Sequence, residues 1–246
     1  MVGTPLLARL RLVAALVAAA AAGIVVLGLR YAGGASAGRL DRAVDRRLRA
    51  HLGTHRFTLR NLITFADPKT VVVVCAVMCV LFLLAGRRRL ALLAVLGPAI
   101  AGAGADYVLK PAIGRHLGNQ LSFPSGHTTA SVSIAIVIVI SLLGPTRPRW
   151  PAAVRWPLAA LALLGAAAIA TALVGAGYHY ATDTVGGLCL AVAVVPSVAY
   201  GIDRLADAWA DRTSRRGRPG RTDGTAGSGP SGAEADAAIS VPTVDR

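Results

Sequence analysis

Residues Lys110–His127, KPAIGRHLGNQLSFPSGH, interrupt two long apolar runs with a short polar segment. It gathers Lys110, Arg115, His116, Ser125 and His127 within eighteen residues. Polar and ionisable groups at the edge of a membrane are costly to place, and they mark functional sites. The last four residues, Pro124-Ser125-Gly126-His127, lead directly into a new apolar run. A helix starting there presents its free backbone N–H groups beside a hydroxyl and an imidazole, an arrangement suited to a phosphate or another oxyanion.

Working outward, the chain is 54% hydrophobic and only 15% charged over 246 residues. Several apolar runs approach or exceed the ~18 residues that mark a membrane span. Spans are expected at about 12–29, 70–86, 90–108, 127–143 and 158–177, with a sixth running from Asp183 to about Gly201. The expected fold is therefore all-α: a polytopic membrane protein with six transmembrane helices in one bundle. One domain covers residues 1–210, and a Gly-, Ser- and Arg-rich stretch, 211–246, reads as a disordered basic tail. The Ala35-Ser36-Ala37 triplet offers a signal-peptide cleavage site, but the first run is long for a signal and more spans follow, so a retained first helix is expected.

Between the first two spans, Leu40, Val44, Leu48 and Leu52 recur at spacing four among Arg42, Arg46, Arg47 and Arg49. That spacing describes a basic amphipathic helix lying among lipid headgroups, or a solvated charged helix. Asp67-Pro68 then reads as an N-cap followed by a proline at the first helical position. Cys75, Cys79 and Cys189 all fall in apolar runs, which excludes a disulfide framework and suits small apolar fillers.

The formal charge of +14 invites a nucleic-acid reading, which the pattern excludes. The basic residues cluster between apolar runs and in the tail, where membrane topology and anionic lipid account for them. Six spans put both termini on one side. The arginines at 87–89 and at 147, 149 and 155 share that side, which the positive-inside rule makes cytoplasmic. The arginine-rich stretch 38–67 runs against the rule. On this topology Lys110–His127 and the later segment His179–Asp183 meet on the external face. The richness in arginine, alanine and glycine is of the kind that GC-rich bacterial genomes encode.

The groups collected there define a chemistry. Lys110 and Arg115 bring positive charge, while Ser125 and the Gly126 N–H bring donors at a helix start. His127 and His179 are able to transfer protons or attack. Asp183 follows His179 by four, a helical spacing that places the carboxylate on the imidazole's face. A carboxylate so placed holds one ring nitrogen as N–H and frees the other as base or nucleophile. Donors outnumber acceptors, so the implied substrate is a phosphate monoester or pyrophosphate. With no carboxylate cluster for a metal pair, a metal-free reaction without cofactor is expected. Tyr107, Tyr178 and Tyr180 read as boundary aromatics, and His51, His55 and His116 as interfacial.

PSGH, a preceding lysine and a later H-x-x-x-D resemble the type 2 phosphatidic acid phosphatase family, whose fold also houses vanadium haloperoxidases. The resemblance covers about residues 57–205. It implies that His179 is the nucleophile forming a phosphohistidine, that Asp183 orients it, and that His127 protonates the leaving oxygen. Lys110, Ser125 and Gly126 resemble the phosphate cradle. The family pattern is K-x6-R-P, then P-S-G-H, then S-R-x5-H-x3-D. This chain has Leu117-Gly118 in place of Arg-Pro and Ala172-Leu173 in place of Ser-Arg. Arg115, five residues after the lysine, is the candidate to replace one lost arginine.

The leading expectation is a lipid phosphatase acting on phosphatidate, phosphatidylglycerol phosphate or a polyprenyl (pyro)phosphate. A non-catalytic member binding lipid phosphates or a partner protein is the alternative. A coupled transporter is disfavoured because no ionisable residue falls at mid-span. A haloperoxidase is disfavoured by the membrane spans and the missing arginines.

Overall fold

The computed structural model describes residues 5–7, 10–145 and 150–216. Nine helices and one small hairpin make up the described part: α1 (Leu10–Tyr31), α2 (Arg39–Leu52), α3 (Arg56–Thr64), α4 (Pro68–Leu84), α5 (Arg88–Ala103), α6 (Lys110–Ile113), β1 (His116–Leu117), β2 (Gln120–Leu121), α7 (Gly126–Leu143), α8 (Ala152–Gly175) and α9 (Ala181–Arg216). A π-helical turn, Gly104–Leu109, joins α5 to α6 without a break.

The apolar runs become the long helices. Five helical stretches are long and apolar enough to cross a membrane, and α3 with α4, bent by 46°, makes a sixth at most. The fold is all-α, with up to six helices suited to a membrane-spanning bundle. α7 and α9 lie at its centre: α7 packs on α5, α8 and α9, and α9 also packs on α1 and α5. Leu90, Leu93, Val137, Val195 and Ala199 form one core where α5, α7 and α9 meet. Val132, Ala135, Ala166 and Ala191 form a second, where alanines let α7, α8 and α9 approach closely. The outward faces of α1 and α4 carry exposed Leu16, Val25, Leu29, Val73, Val77 and Leu84, a surface that lipid covers.

At one end Arg89 bridges Asp203 and Asp207 of α9 at 2.9 and 2.8 Å, and Asp203 accepts the Leu6 N–H. α5 starts at this end and delivers Lys110 to the other, where the polar residues collect.

The polar stretch between the first two spans is built differently from the surface helix expected. Residues 38–67 form two helices, and neither is merely a surface element. The acids Asp41 and Asp45 of α2 are buried, one turn apart, beside the apolar stripe. α3 packs on α8 through Leu59, Ile63, Ile169, Ala172 and Leu173. The boundary expected at 210/211 falls inside α9, which continues to Arg216; the rest of the expected tail, and Arg147 and Arg149, lie outside the described residues.

Candidate functional site

The π-helical turn widens the backbone spiral just before Lys110, the kind of local distortion found at functional sites. After α6 the chain makes the β1–β2 hairpin, with Gly118 at φ +60 in its two-residue turn, a left-handed conformation that glycine adopts without strain. The hairpin turns Leu117, Gln120 and Leu121 onto the wall of a cavity of about 410 Å³. Lys110, Ser122 and His127 line the same cavity, and α3 adds Arg60, Ile63 and Thr64, one helical face. Asp67, Leu173, Tyr178 and His179 complete it.

His127 and His179 thus open onto one polar cavity. His127 Nε2 lies 3.3 Å from Asp67 Oδ1, so a proton on that nitrogen is shared with a carboxylate. Asp67 occupies the N-cap position ahead of Pro68, as its sequence suggests, but its side chain makes no cap bond to α4. His179 Nδ1 is 3.6 Å from Asp183 Oδ2, within ion-pair distance, and has no hydrogen-bond partner among the described residues. Asp183 is fully buried and accepts from the Tyr180 N–H (3.1 Å) and from Arg115 (2.6 Å).

Lys110 Nζ pairs with Asp106 Oδ1 at 2.6 Å, one turn back. The pair rests against Gly126, where a Cβ would lie 3.2 Å from Asp106 Oδ1 and 3.6 Å from Lys110 Nζ. Ser125 is fully buried and caps α7: its hydroxyl oxygen accepts from the Thr128 N–H and hydroxyl, and it does not line the cavity. Of the residues expected to hold substrate, Lys110 is in the cavity, Gly126 adjoins Lys110, and Ser125 lies behind the helix start.

Arg115, expected to hold substrate, is not among the residues lining the cavity. Its side chain is fully buried. Its guanidinium donates to Asp41 Oδ2 (2.6 Å), Asp183 Oδ1 (2.6 Å) and Thr182 Oγ1 (2.7 Å). It stacks between the rings of Tyr31 and Tyr180, with centroids at 4.0 and 4.4 Å. Tyr180, expected at the membrane boundary, is buried as one face of this sandwich. Arg115 is therefore a bolt between α2, α9 and the end of α1.

The carboxylates of α2 close the start of α9. Asp41 Oδ1 accepts the Thr182 N–H at 2.9 Å and Asp45 Oδ1 the Ala181 N–H at 3.1 Å. Negative groups at a helix N-terminus are favoured by its dipole. Burial pushes the Asp41 carboxyl up, but hydrogen bonds from the Thr182 N–H, Arg115, the Thr182 hydroxyl and the Gly38 N–H outweigh it and hold the group below its ordinary value. Asp45 is pushed up by burial and by the charges of Asp41 and Asp183, against the Ala181 N–H bond and Arg49.

Sequence reasoning missed Arg60, Asp67, Asp41, Asp45 and Asp106 as parts of this end. Arg60 sat unmarked in a basic stretch, and Asp67 carried a cap motif that accounted for it. Asp41 and Asp45 alone left a signal, an i,i+4 acid pair flanking an apolar stripe.

An all-α bundle suited to a membrane thus brings two histidines and a lysine to one polar cavity. Residues 109–206 match the family model described as the PAP2 superfamily, so the chain carries a PAP2 superfamily domain over that stretch. No curated protein and no solved structure matches the chain. Among the described residues no group of three or more His, Cys, Asp or Glu side chains is placed to hold a metal ion. A hydrolase superfamily and a donor-rich site of this kind are consistent with a metal-independent phosphoesterase in general.

Proposed function

We propose that the protein is a membrane lipid phosphatase, releasing phosphate from a lipid phosphate monoester or pyrophosphate through a phosphohistidine at His179. The observation that carries this reading is the convergence of His127, His179 and Lys110 on one cavity. In the proposed reaction the Nε2 lone pair of His179 attacks phosphorus as the bond to the lipid oxygen breaks. His127 gives that oxygen its proton, and Asp183, 3.6 Å from His179 Nδ1, stabilises the imidazolium. A water then attacks the phosphohistidine, with His127 taking its proton, and phosphate leaves. Lys110 and the N–H groups of Gly126 and His127 hold the phosphoryl oxygens. Phosphatidate, phosphatidylglycerol phosphate and polyprenyl (pyro)phosphates all present this group beside an apolar tail. We place the cavity on the external face of a bacterial membrane, with the Arg87–Arg89 end cytoplasmic, on the positive-inside argument.

The test is phosphate release from short-chain lipid phosphates by the purified protein in detergent, with and without chelator. Turnover that resists chelation and disappears in His179→Ala supports the reading. Equal turnover by parent and His179→Ala removes the nucleophile. A binding-only role is favoured by one observation: Leu117 and Leu173, at the positions where the family pattern has arginine, both face the cavity. Phosphate binding without turnover is its signature.

A further inference from the structure

Two leucines on the cavity wall leave an anion site short of guanidinium groups, and the bolt formed by Arg115 supplies none. The arginine that lines the cavity is Arg60. It lies on α3, whose Leu59 and Ile63 pack directly on Leu173 of α8. α3 is thereby fixed on one of the two positions where the guanidinium is missing, and the face bearing Arg60, Ile63 and Thr64 is turned to the cavity. Arg60 is exposed and makes no hydrogen bond or ion pair with any described residue. Arg89 is tied to Asp203 and Asp207, and Arg115 to Asp41 and Asp183. A long cationic side chain left unpaired at a cavity that already holds Lys110, His127 and His179 is poised for an anionic ligand.

We propose that Arg60 is the guanidinium that clamps the phosphoryl group, supplied from α3 in place of the arginines absent at Leu117 and Leu173. This assignment rests on the phosphatase reading for its role in turnover, but its anion-binding part stands apart from it. Arg60 donates two N–H groups to phosphoryl oxygens that Lys110 also meets, and its charge offsets that of Asp67 in the same cavity. The substrate class that follows is a terminal phosphate, whose three non-bridging oxygens engage Arg60 and Lys110 together, whereas a phosphodiester has only two.

The experiment compares the full chain in detergent with Arg60→Ala, Arg60→Gln and Arg60→Lys. Arg46→Ala on α2, exposed and away from the cavity, controls for lost charge. Two readouts are taken: kcat/KM on a short-chain phosphatidate, and the Kd of inorganic phosphate by titration calorimetry. Arg60→Ala and Arg60→Gln are expected to lose about 100- to 1,000-fold in kcat/KM, the scale of one lost oxyanion donor. Phosphate binding should weaken about tenfold or more, with Arg60→Lys between and Arg46→Ala unchanged. Arg60→Ala and Arg60→Gln within twofold of the parent in both readouts overturn the assignment and leave the phosphatase standing. If the parent binds phosphate without turnover, the hydrolytic reading fails, and the Kd comparison alone decides Arg60. A parent that neither binds nor hydrolyses overturns both.

Discussion

Replacing Arg115 by methionine separates a bolt from a clamp. The substitution keeps an unbranched stem but removes the charge that Asp41 and Asp183 share, and both carboxylates are fully buried. Breaking a buried ion pair from one side costs about 3–5 kcal/mol, because the charge left behind has neither water nor partner. For a chain of this size each kcal/mol corresponds to about 2–4 °C, so Arg115→Met should melt about 6–20 °C below the parent. Arg115→Lys should fall between, since one ammonium does not reproduce three directed N–H bonds and a stack between two rings. The double variant Arg115→Met/Asp41→Asn removes one orphaned charge with its partner and should recover more than about 1 kcal/mol relative to additivity. The assay is thermal unfolding in detergent, followed by tryptophan fluorescence, alongside phosphate release. An Arg115→Met protein that melts with the parent yet no longer binds phosphate would refute the reasoning, because the guanidinium would then be acting on the ligand.

The same end of the bundle carries three further tests. Asp41 has its carboxyl held low, so its stabilisation is present above the unfolded-state value of about 4 and is lost as pH falls through its folded value. Asp45 is held high, so its contribution is complete below that value and is lost as pH rises through its folded one. In melting temperatures taken across acid to neutral pH, Asp41→Asn should therefore be destabilised at neutral pH. Asp45→Asn should keep or gain stability there and lose the parent's decline with rising pH; a matching loss in both variants would contradict this. Gly187→Ala should lower stability by about 1–3 kcal/mol. Its Cβ would sit 2.6 Å from the Ser125 carbonyl oxygen and 3.0 Å from Thr128 Cβ, driving α9 from the start of α7 and reducing phosphate release. Gly102→Ala, with nothing within 4 Å of its Cβ, should melt no lower than the parent.

The bundle was legible because lipid imposes length and apolarity on whole segments, and α1, α4 and α7 begin and end within about two residues of the expected spans. His127, His179 and Lys110 were legible because local motifs carry them. Arg115 was not. Between Lys110 and the PSGH motif it reads as a loop cation, and its partners lie 74 and 68 residues away in sequence. Charge counting also misled at Asp41 and Asp45. Among five arginines on α2 they look like dilution, yet the helix face that buries them is set by packing on α8 and α9. Leu117 could be recognised as a missing arginine, but the β1–β2 hairpin that keeps it on the cavity wall has only two residues per strand and no alternating pattern to announce it.

The disposition of these charges decides which helix start is open to an anion. Both α7 and α9 begin at the cavity end, and their starts are tied together by the Ser125 N–H donating to the Asp183 carbonyl at 3.0 Å. At α9 the opening N–H groups are taken: Tyr180 by Asp183, Ala181 by Asp45 and Thr182 by Asp41. Three carboxylates there repel a phosphate even with Arg115 among them. At α7 the cap is a neutral hydroxyl that accepts from the N–H and hydroxyl of Thr128, and the first-turn N–H groups of Gly126 and His127 have no intrahelical partner to take them. Lys110 approaches that same start through Gly126. The phosphoryl group of the proposed reaction therefore belongs at the α7 side, with His179 reaching across from the closed, negative side of α9. In the proposed reaction that polarity would give the two histidines different work: a carboxylate-rich surround would stabilise the imidazolium formed as His179 attacks, while His127, in the first turn of α7, lies on the side proposed for the anion.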